Sequence, residues 1–219
     1  MAELRTEEEQ LDALKRWWKA NGTSLIAGVV IAAAGVFGWN AWENYQANQA
    51  QAASMRYQQL ATVASDSELD DAGIEQARRL VDELVDEHGG TLYAELALLL
   101  DTRLAVQQGD LEGAQAALEQ VIDTSSRRYV QSLARLRLAR LALEADDAER
   151  ALTLLDDPIS DALSAQRANV RGDALSALGR DDEARQAWQE ALAMAEAKDQ
   201  PLYGVSFKLD DLGTQETAL

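Results

Sequence analysis

Cysteine is absent from the chain, and His88 is its only histidine. These two absences exclude disulfides, thiolate metal sites and any zinc site that needs two histidines. His88 precedes two glycines at an expected helix end, where a C-terminal capping role explains it better than catalysis does. The sequence has no glycine-rich phosphate loop and no local signature of a nucleophile paired with a histidine. We therefore expect a protein that is not an enzyme and that uses no cofactor or metal.

Proline occurs only twice, and strand-like alternation of apolar and polar residues is missing, so the sequence predicts an all-α protein. Adjacent aspartates recur along the chain, as in Asp70-Asp71, Asp156-Asp157 and Asp181-Asp182. They fall where turns are expected. Helix capping and solvation explain them there better than acid–base catalysis does.

Charge is missing from residues 20–42. Tryptophans stand at both ends of this stretch, as in the aromatic belts at lipid interfaces: Trp17, Trp18, Trp39 and Trp42. A helix rises about 1.5 Å per residue, so the distance from Trp18 to Trp39 matches a hydrocarbon core about 30 Å thick. A buried core helix is the alternative, but such helices rarely stay uncharged over this length. The sequence therefore predicts one transmembrane helix at residues 23–42.

The flanking charges predict the orientation of this helix. Three basic residues precede it closely, and they are Lys15, Arg16 and Lys19; the first basic residue after it is Arg56. Because cytoplasmic flanks carry the excess of lysine and arginine, residues 1–22 are expected to be cytoplasmic. Residues 43–219 are then expected to lie on the opposite side of the membrane. A cleaved signal peptide is the alternative, with small residues at 50–52 as its cleavage site. The long, acidic leader favours an uncleaved anchor.

The net charge of −18 lies almost entirely in the part that follows the membrane helix. Sixteen basic and thirty-three acidic residues follow Ser24, which leaves a charge of −17 there. Such a surface repels phosphate backbones and anionic lipid headgroups, so it argues against nucleic-acid binding and peripheral lipid binding. We interpret the excess acid as a device for solubility rather than as an acidic binding face.

Four segments of this acidic part repeat a short pattern with periods of 37, 37 and 33 residues. The aligned positions are small residues: Ala77, Ala114, Ala151 and Ala184. A large apolar residue follows each of them by four positions: Val81, Leu118, Leu155 and Trp188. A period of this length predicts a solenoid of about four helical hairpins, in which the alanine admits a neighbouring backbone and the larger residue fills the adjoining gap. Trp188 is therefore expected to be a core residue.

Partner helices are expected between these segments, because apolar residues recur with helical spacing at residues 92–108, 128–144 and 163–178. The units resemble the tetratricopeptide repeat, a helix–turn–helix unit of about 34 residues with small residues at fixed places. The last unit carries the most matches, and these are Gly172, Gly179, Ala184, Trp188 and Ala191. The third unit is degenerate, with Asp146 in place of the turn glycine. The closing segment, residues 201–212, lacks helix-length periodicity and is expected to seal the last helix pair.

The order of these features resembles a narrower family, the YfgM-type ancillary subunit of the bacterial SecYEG translocon. The resemblance rests on the leader ending in LDALKRWWKANG, the anchor, its exit WNAWENYQ, four degenerate repeats and the closing PLYGVSFKLDDL. It implies a single-pass protein of the bacterial inner membrane with a periplasmic tetratricopeptide-like domain at residues 43–219. It also implies association with the translocon and with a membrane-anchored periplasmic chaperone of the PpiD type, in aid of newly exported proteins. The alternative is a membrane-anchored periplasmic peptide-binding adaptor of an envelope-assembly complex.

Two surfaces are candidates for partner binding. In the membrane helix, Gly28, Ala32 and Gly35 lie on one face, where a helix of the translocon or of a second copy in a homodimer could approach closely. Glycine and alanine are also common in membrane helices that have no such partner. In the solenoid, the concave face of the partner helices has these candidates: Tyr93, Arg103, Tyr129, Arg137, Arg140, Arg167 and Arg171. Their arginines stand out in an acidic domain, but scattered pairing with neighbouring carboxylates would explain them equally well.

Overall fold

The computed structural model describes residues 7–66, 69–157 and 159–216, and within these ranges regular structure is helical, with no strand. The helices are α1 Glu7–Ala64, α2 Asp71–His88, α3 Leu92–Gln107, α4 Leu111–Thr124, α5 Arg128–Glu144, α6 Ala148–Asp156, α7 Ser164–Ala177, α8 Asp181–Ala197 and α9 Val205–Glu216. A single 3-10 turn, Asp161–Leu163, precedes α7. The prediction of an all-α protein is confirmed. The three partner helices expected from the sequence correspond to α3, α5 and α7.

The chain forms two compact units, Met1–Gln51 and Ala52–Leu219, and α1 contributes residues to both. In the first unit, the apolar part of α1 is almost entirely exposed: Val30 is 60% exposed and Phe37 is 74% exposed. Among the described residues, α1 is the one helix that is long and apolar enough to cross a membrane. Large apolar side chains exposed over such a long part of a helix are unusual in water, whereas lipid accommodates them.

The second unit is built from consecutive helical hairpins, as the repeat predicted. The aligned alanines, Ala77, Ala114, Ala151 and Ala184, are all fully buried. The larger residues four positions later are buried as well: Val81, Leu118, Leu155 and Trp188. A small side chain at the first position lets the next helix approach closely, and the larger one fills the space that remains. The tetratricopeptide-like packing of this unit is therefore confirmed.

The turns within the last three hairpins, which join α3 to α4, α5 to α6 and α7 to α8, share one geometry. Gly109 and Gly179 take positive φ angles of 76° and 70°, and Asp146 takes the same left-handed conformation with a φ of 58°. An aspartate then caps the next helix in two of these turns: the carboxylate of Asp110 accepts a hydrogen bond from the amide of Gly113, and that of Asp147 accepts one from the amide of Arg150. The third unit therefore keeps the turn despite lacking its glycine.

The buried apolar residues form three separate clusters along the second unit. The first reaches from the end of α1 to Leu138, the second runs from Leu136 to Ala174, and the third joins α7 and α8 to α9. Partly buried leucines connect neighbouring clusters, and Leu152 is packed against both the second and the third. The core is thus distributed along the stack of hairpins, as expected for a repeat protein in which each unit contacts its neighbours.

The closing segment packs against the last hairpin, and most of it is helical although its sequence lacks helix-length periodicity. Residues Val205–Glu216 form α9, and Val205 and Leu212 are buried against the third cluster. Together with Leu209 they have helical spacing, but Tyr203 and Phe207 obscure the pattern because they are apolar and exposed. A stripe of three residues among exposed aromatic residues is too short to give a clear period.

Candidate partner-binding site

An open apolar groove of about 540 Å³ lies in the second unit, between the end of α1, α3 and α5. Its apolar lining comes from these three helices and from one residue of α4: Tyr57, Leu96, Leu99, Leu100, Val106, Leu118, Leu133 and Leu141. The spacing of Leu96, Leu99, Leu100 and Val106 places these side chains along one side of α3. The groove is as large as the sites that hold drug-sized ligands, and it could accommodate several side chains of a protein partner.

Three arginines line this groove together with a single carboxylate, that of Glu144. The guanidinium of Arg103 donates a hydrogen bond to the carbonyl oxygen of Ala64, the last residue of α1. Arg137 donates to the carbonyl oxygen of Leu99 at 3.2 Å. Arg140 is exposed and makes no hydrogen bond or ion pair with the described part of the chain. None of the three guanidinium groups is paired with a carboxylate in that part of the chain.

The positive charges of the groove repel one another. Burial lowers the pKa of the Arg137 guanidinium from its ordinary value, and the neighbouring charge of Arg140 lowers this pKa further. Among the described residues, no carboxylate pairs with Arg137 to offset this lowering. An anionic group placed beside both arginines would relieve this cost.

The comparisons with known proteins agree with the architecture. The family model described as a tetratricopeptide repeat-like domain matches residues 15–214. An ancillary SecYEG translocon subunit of Escherichia coli K12 is 32% identical over 183 residues, which cover 84% of this chain and 85% of that protein. This chain belongs to the family of ancillary SecYEG translocon subunits.

Two further members of this family are similar over a shorter part. Ancillary SecYEG translocon subunits of Haemophilus influenzae and Aggregatibacter actinomycetemcomitans are 34% and 35% identical over 116 residues. Those matches cover 52% of this chain and about half, 53%, of the length of each relative. No solved structure matches the chain. The resemblance to the YfgM-type subunit is confirmed.

The groove brings together three of the seven predicted face residues, namely Arg103, Arg137 and Arg140. Tyr93 lies next to it, because its ring centroid is 5.9 Å from that of Tyr57 in the groove lining. Tyr129 is half-exposed, and its interaction with Arg137 slightly opposes the lowering of the arginine's pKa.

The remaining two predicted residues lie outside the groove. The guanidinium of Arg167 donates to the carbonyl oxygen of Leu155 at 2.7 Å, so it joins two consecutive helices, and Arg171 is exposed on α7. Of the seven candidates, four are exposed and three are partly buried, namely Tyr93, Arg137 and Arg167. Each of these is partly buried because it packs or bonds against a neighbouring helix.

The arginines of the second unit fall into two groups. Several pair with carboxylates across helices, as in Arg78 with Asp110 at 3.2 Å and Arg150 with Glu119 at 3.0 Å. These arginines were not among the candidates for the partner face. The three arginines of the groove, which were, have no carboxylate partner among the described residues.

Sequence reasoning missed the apolar part of the groove. Tyr57, Leu96, Leu100 and Leu141 follow helical spacings, but such spacing equally describes residues that a neighbouring helix covers. The unpaired arginines were the available signal, because they cluster on two helices of a strongly acidic domain. Within the described ranges, no group of three or more histidine or acidic side chains could hold a metal ion.

The small-residue face of the membrane helix is also uncovered. Gly28, Ala32 and Gly35 are exposed in the first unit, and a β-carbon added at either glycine would meet no atom within 4 Å. The space beside this face is therefore open to another helix. Its use for packing stays a prediction.

Proposed function

We propose that this protein is a non-enzymatic accessory subunit of the SecYEG translocon, held in the inner membrane by one helix at residues 23–42. The observation that carries the proposal is the similarity to the Escherichia coli ancillary SecYEG translocon subunit, which extends over 84% of this chain. The long exposed apolar helix supports the membrane location. The groove and the distributed core of the second unit support a role in protein binding rather than in chemistry.

In this proposal, residues 1–22 are cytoplasmic and residues 43–219 form a periplasmic domain. The lysines and arginine before the span support this orientation. Because the chain has no cysteine, single cysteines can test it directly. A maleimide that cannot cross the membrane should label Ser126→Cys in intact spheroplasts, whereas Glu9→Cys should be labelled only after lysis. The reverse pattern would overturn the orientation.

The periplasmic domain would connect the translocon to a membrane-anchored chaperone of the PpiD type and so assist newly exported proteins. A second candidate, favoured by the open groove, is a peptide-binding adaptor of an envelope-assembly complex without stable translocon contact. Extraction of native membranes in mild detergent, followed by identification of co-purifying proteins, separates the two. Recovery of translocon subunits together with such a chaperone supports the first role. Their repeated absence, with envelope-assembly proteins recovered instead, supports the second.

A further inference from the structure

The groove between α1, α3 and α5 differs in charge from the unit that contains it. Residues 52–219 contain 16 basic and 32 acidic side chains, so acid outnumbers base two to one. The groove lining reverses this ratio, with Arg103, Arg137 and Arg140 against Glu144. Two positive charges therefore remain in excess at an apolar surface.

These arginines lack carboxylate partners in the described part of the chain although the unit contains many carboxylates, because nearly all of those carboxylates lie outside the groove. Acidic residues pair with arginines elsewhere in the unit, including on α3, where Glu95 bonds Arg127 at 2.8 Å. On α5, Arg135 lies 3.3 Å from Asp157, outside the groove. Arg127, which precedes α5, and Arg135 on α5 thus have carboxylate partners, whereas the three arginines of the groove have none among the described residues.

We propose that the groove binds a segment of a partner protein in which two or three apolar side chains adjoin a pair of acidic residues. The apolar side chains would lie against Leu96, Leu100 and Leu141. The two carboxylates would accept charge-assisted hydrogen bonds from Arg137 and Arg140, whose guanidinium groups can each bind a carboxylate through two N–H donors. This inference deepens the proposed role in protein binding, but it does not depend on contact with the translocon.

The acidity of the whole unit restricts which segments can bind. A uniformly acidic peptide is repelled during its approach, because the summed field of the domain is negative. A segment with an isolated acidic pair in a neutral or basic context avoids this repulsion and still matches the groove. The apolar lining adds affinity through removal of the ligand's leucine or valine side chains from water.

Peptide binding to the full-length protein in detergent micelles tests this inference. The probes are fluorescent twelve-residue peptides with capped ends that carry three leucines beside two glutamates in an otherwise neutral sequence. Matched probes carry glutamines or lysines in place of the glutamates. Arg140→Glu reverses a charge that makes no bond in the described chain, and Arg171→Glu makes the same change on α7 outside the groove. Unchanged far-ultraviolet spectra and melting temperatures establish that both variants fold.

We expect the wild type to bind the glutamate peptide about tenfold more tightly than the glutamine peptide. Arg140→Glu should abolish this preference and should favour the lysine peptide instead, whereas Arg171→Glu should leave it unchanged. Val106→Ser, which removes an exposed apolar side chain of the groove, should weaken all three peptides about fivefold. Equal affinity of the wild type for glutamate and glutamine peptides would overturn the inference. So would equal effects of the two charge reversals, or no binding at millimolar peptide.

Because the assay contains no translocon, its result is separate from that of the co-purification. Loss of translocon recovery with intact peptide binding would refute the accessory role and leave the groove in place. Translocon recovery without peptide binding would keep the accessory role and reject the groove as a site for acidic segments.

Discussion

The indole of Trp188 on α8 occupies the space where a β-carbon of Gly172 on α7 would lie. The indole N–H donates to the carbonyl oxygen of Asn169 at 3.1 Å and to the carboxylate of Asp173 at 3.0 Å. From α9, the ammonium of Lys208 bonds the same carboxylate and lies 5.7 Å from the centre of the ring system. One tryptophan therefore connects three helices, and it can do so because its neighbour has no side chain.

Gly172→Ala should destabilise the protein although alanine is the better helix former. The gain in helix propensity is about 1 kcal/mol, whereas a methyl group forced against a buried ring costs about 1 to 3 kcal/mol, and more where the ring cannot move. We expect a lower midpoint in thermal or denaturant unfolding of the full chain. Gly90→Ala is the control, because a β-carbon there meets nothing within 4 Å. An unchanged midpoint for Gly172→Ala would show that the indole moves aside freely.

Trp188 is 4% exposed, which confirms the expectation that it is a core residue. Trp188→Ala should lower the free energy of unfolding by about 3 to 5 kcal/mol. Trp188→Phe keeps an aromatic ring but removes the N–H donor, so we expect a smaller loss, about 1 to 2 kcal/mol. Equal losses for the two variants would mean that the hydrogen bonds, rather than the buried volume, dominate. Urea unfolding of both proteins measures the difference.

Substitutions at the neighbouring residues Asp146 and Asp147 should change the free energy of unfolding in opposite directions. The left-handed conformation of Asp146 is strained for a residue with a side chain, so Asp146→Gly should raise stability by about 0.5 to 1 kcal/mol. Asp147 caps α6, and Asp147→Ala should lower stability by about 1 kcal/mol. Melting temperatures should therefore move in opposite directions. A decrease for Asp146→Gly would indicate that its carboxylate makes a compensating local interaction.

These residues show what the sequence could and could not predict. The hairpin repeat was readable because alanine and a larger apolar residue recur four positions apart in each unit. The identity of Trp188 as a core residue followed from the same pattern. Its hydrogen bonds to α7 and its contact with α9 did not, because they join residues far apart in sequence. The groove was hidden for a related reason: periodicity identifies an apolar stripe but not whether another helix covers it.

The carboxylate of Asp101 on α3 should make stability depend on pH. Burial raises its pKa above the ordinary value; the charge of Arg78 partly opposes this, whereas Asp82 and Asp110 add to it. The folded state therefore binds this proton more tightly than the unfolded chain does. The contribution of Asp101 is present at acidic pH and is lost as pH rises through the folded pKa.

Asp101→Asn should remove this dependence and raise the melting temperature at pH 7 by about 1 to 2 °C. The measurement is a series of thermal unfolding curves from about pH 4 to neutrality, with Asp123→Asn on the exposed surface as the control. If Asp101→Asn lowered the melting temperature at pH 7, the attraction of Arg78 would outweigh burial, contrary to the expected sign.

The small-residue face of the membrane helix gives a prediction about partner choice. Gly28→Leu combined with Gly35→Leu should leave insertion intact, because leucine is favourable in the bilayer, but should reduce translocon recovery severalfold by preventing close helix approach. Val29→Leu with Val36→Leu is the matched control on the same helix. Quantitative co-purification measures the difference. Undiminished recovery, also after exchange of the whole span for an unrelated apolar helix, would assign docking to the other unit.

The division of the core into three clusters predicts that the second unit can unfold partially from one end. Each cluster joins only consecutive helices. The helices at one end of the stack can therefore detach without breaking the contacts at the other end. Amide protons of α8 and α9 should then exchange with solvent through a partial opening that leaves α3 and α4 protected. The C-terminal end of the stack would be the first part that a protease meets in extended form, well before the whole domain unfolds.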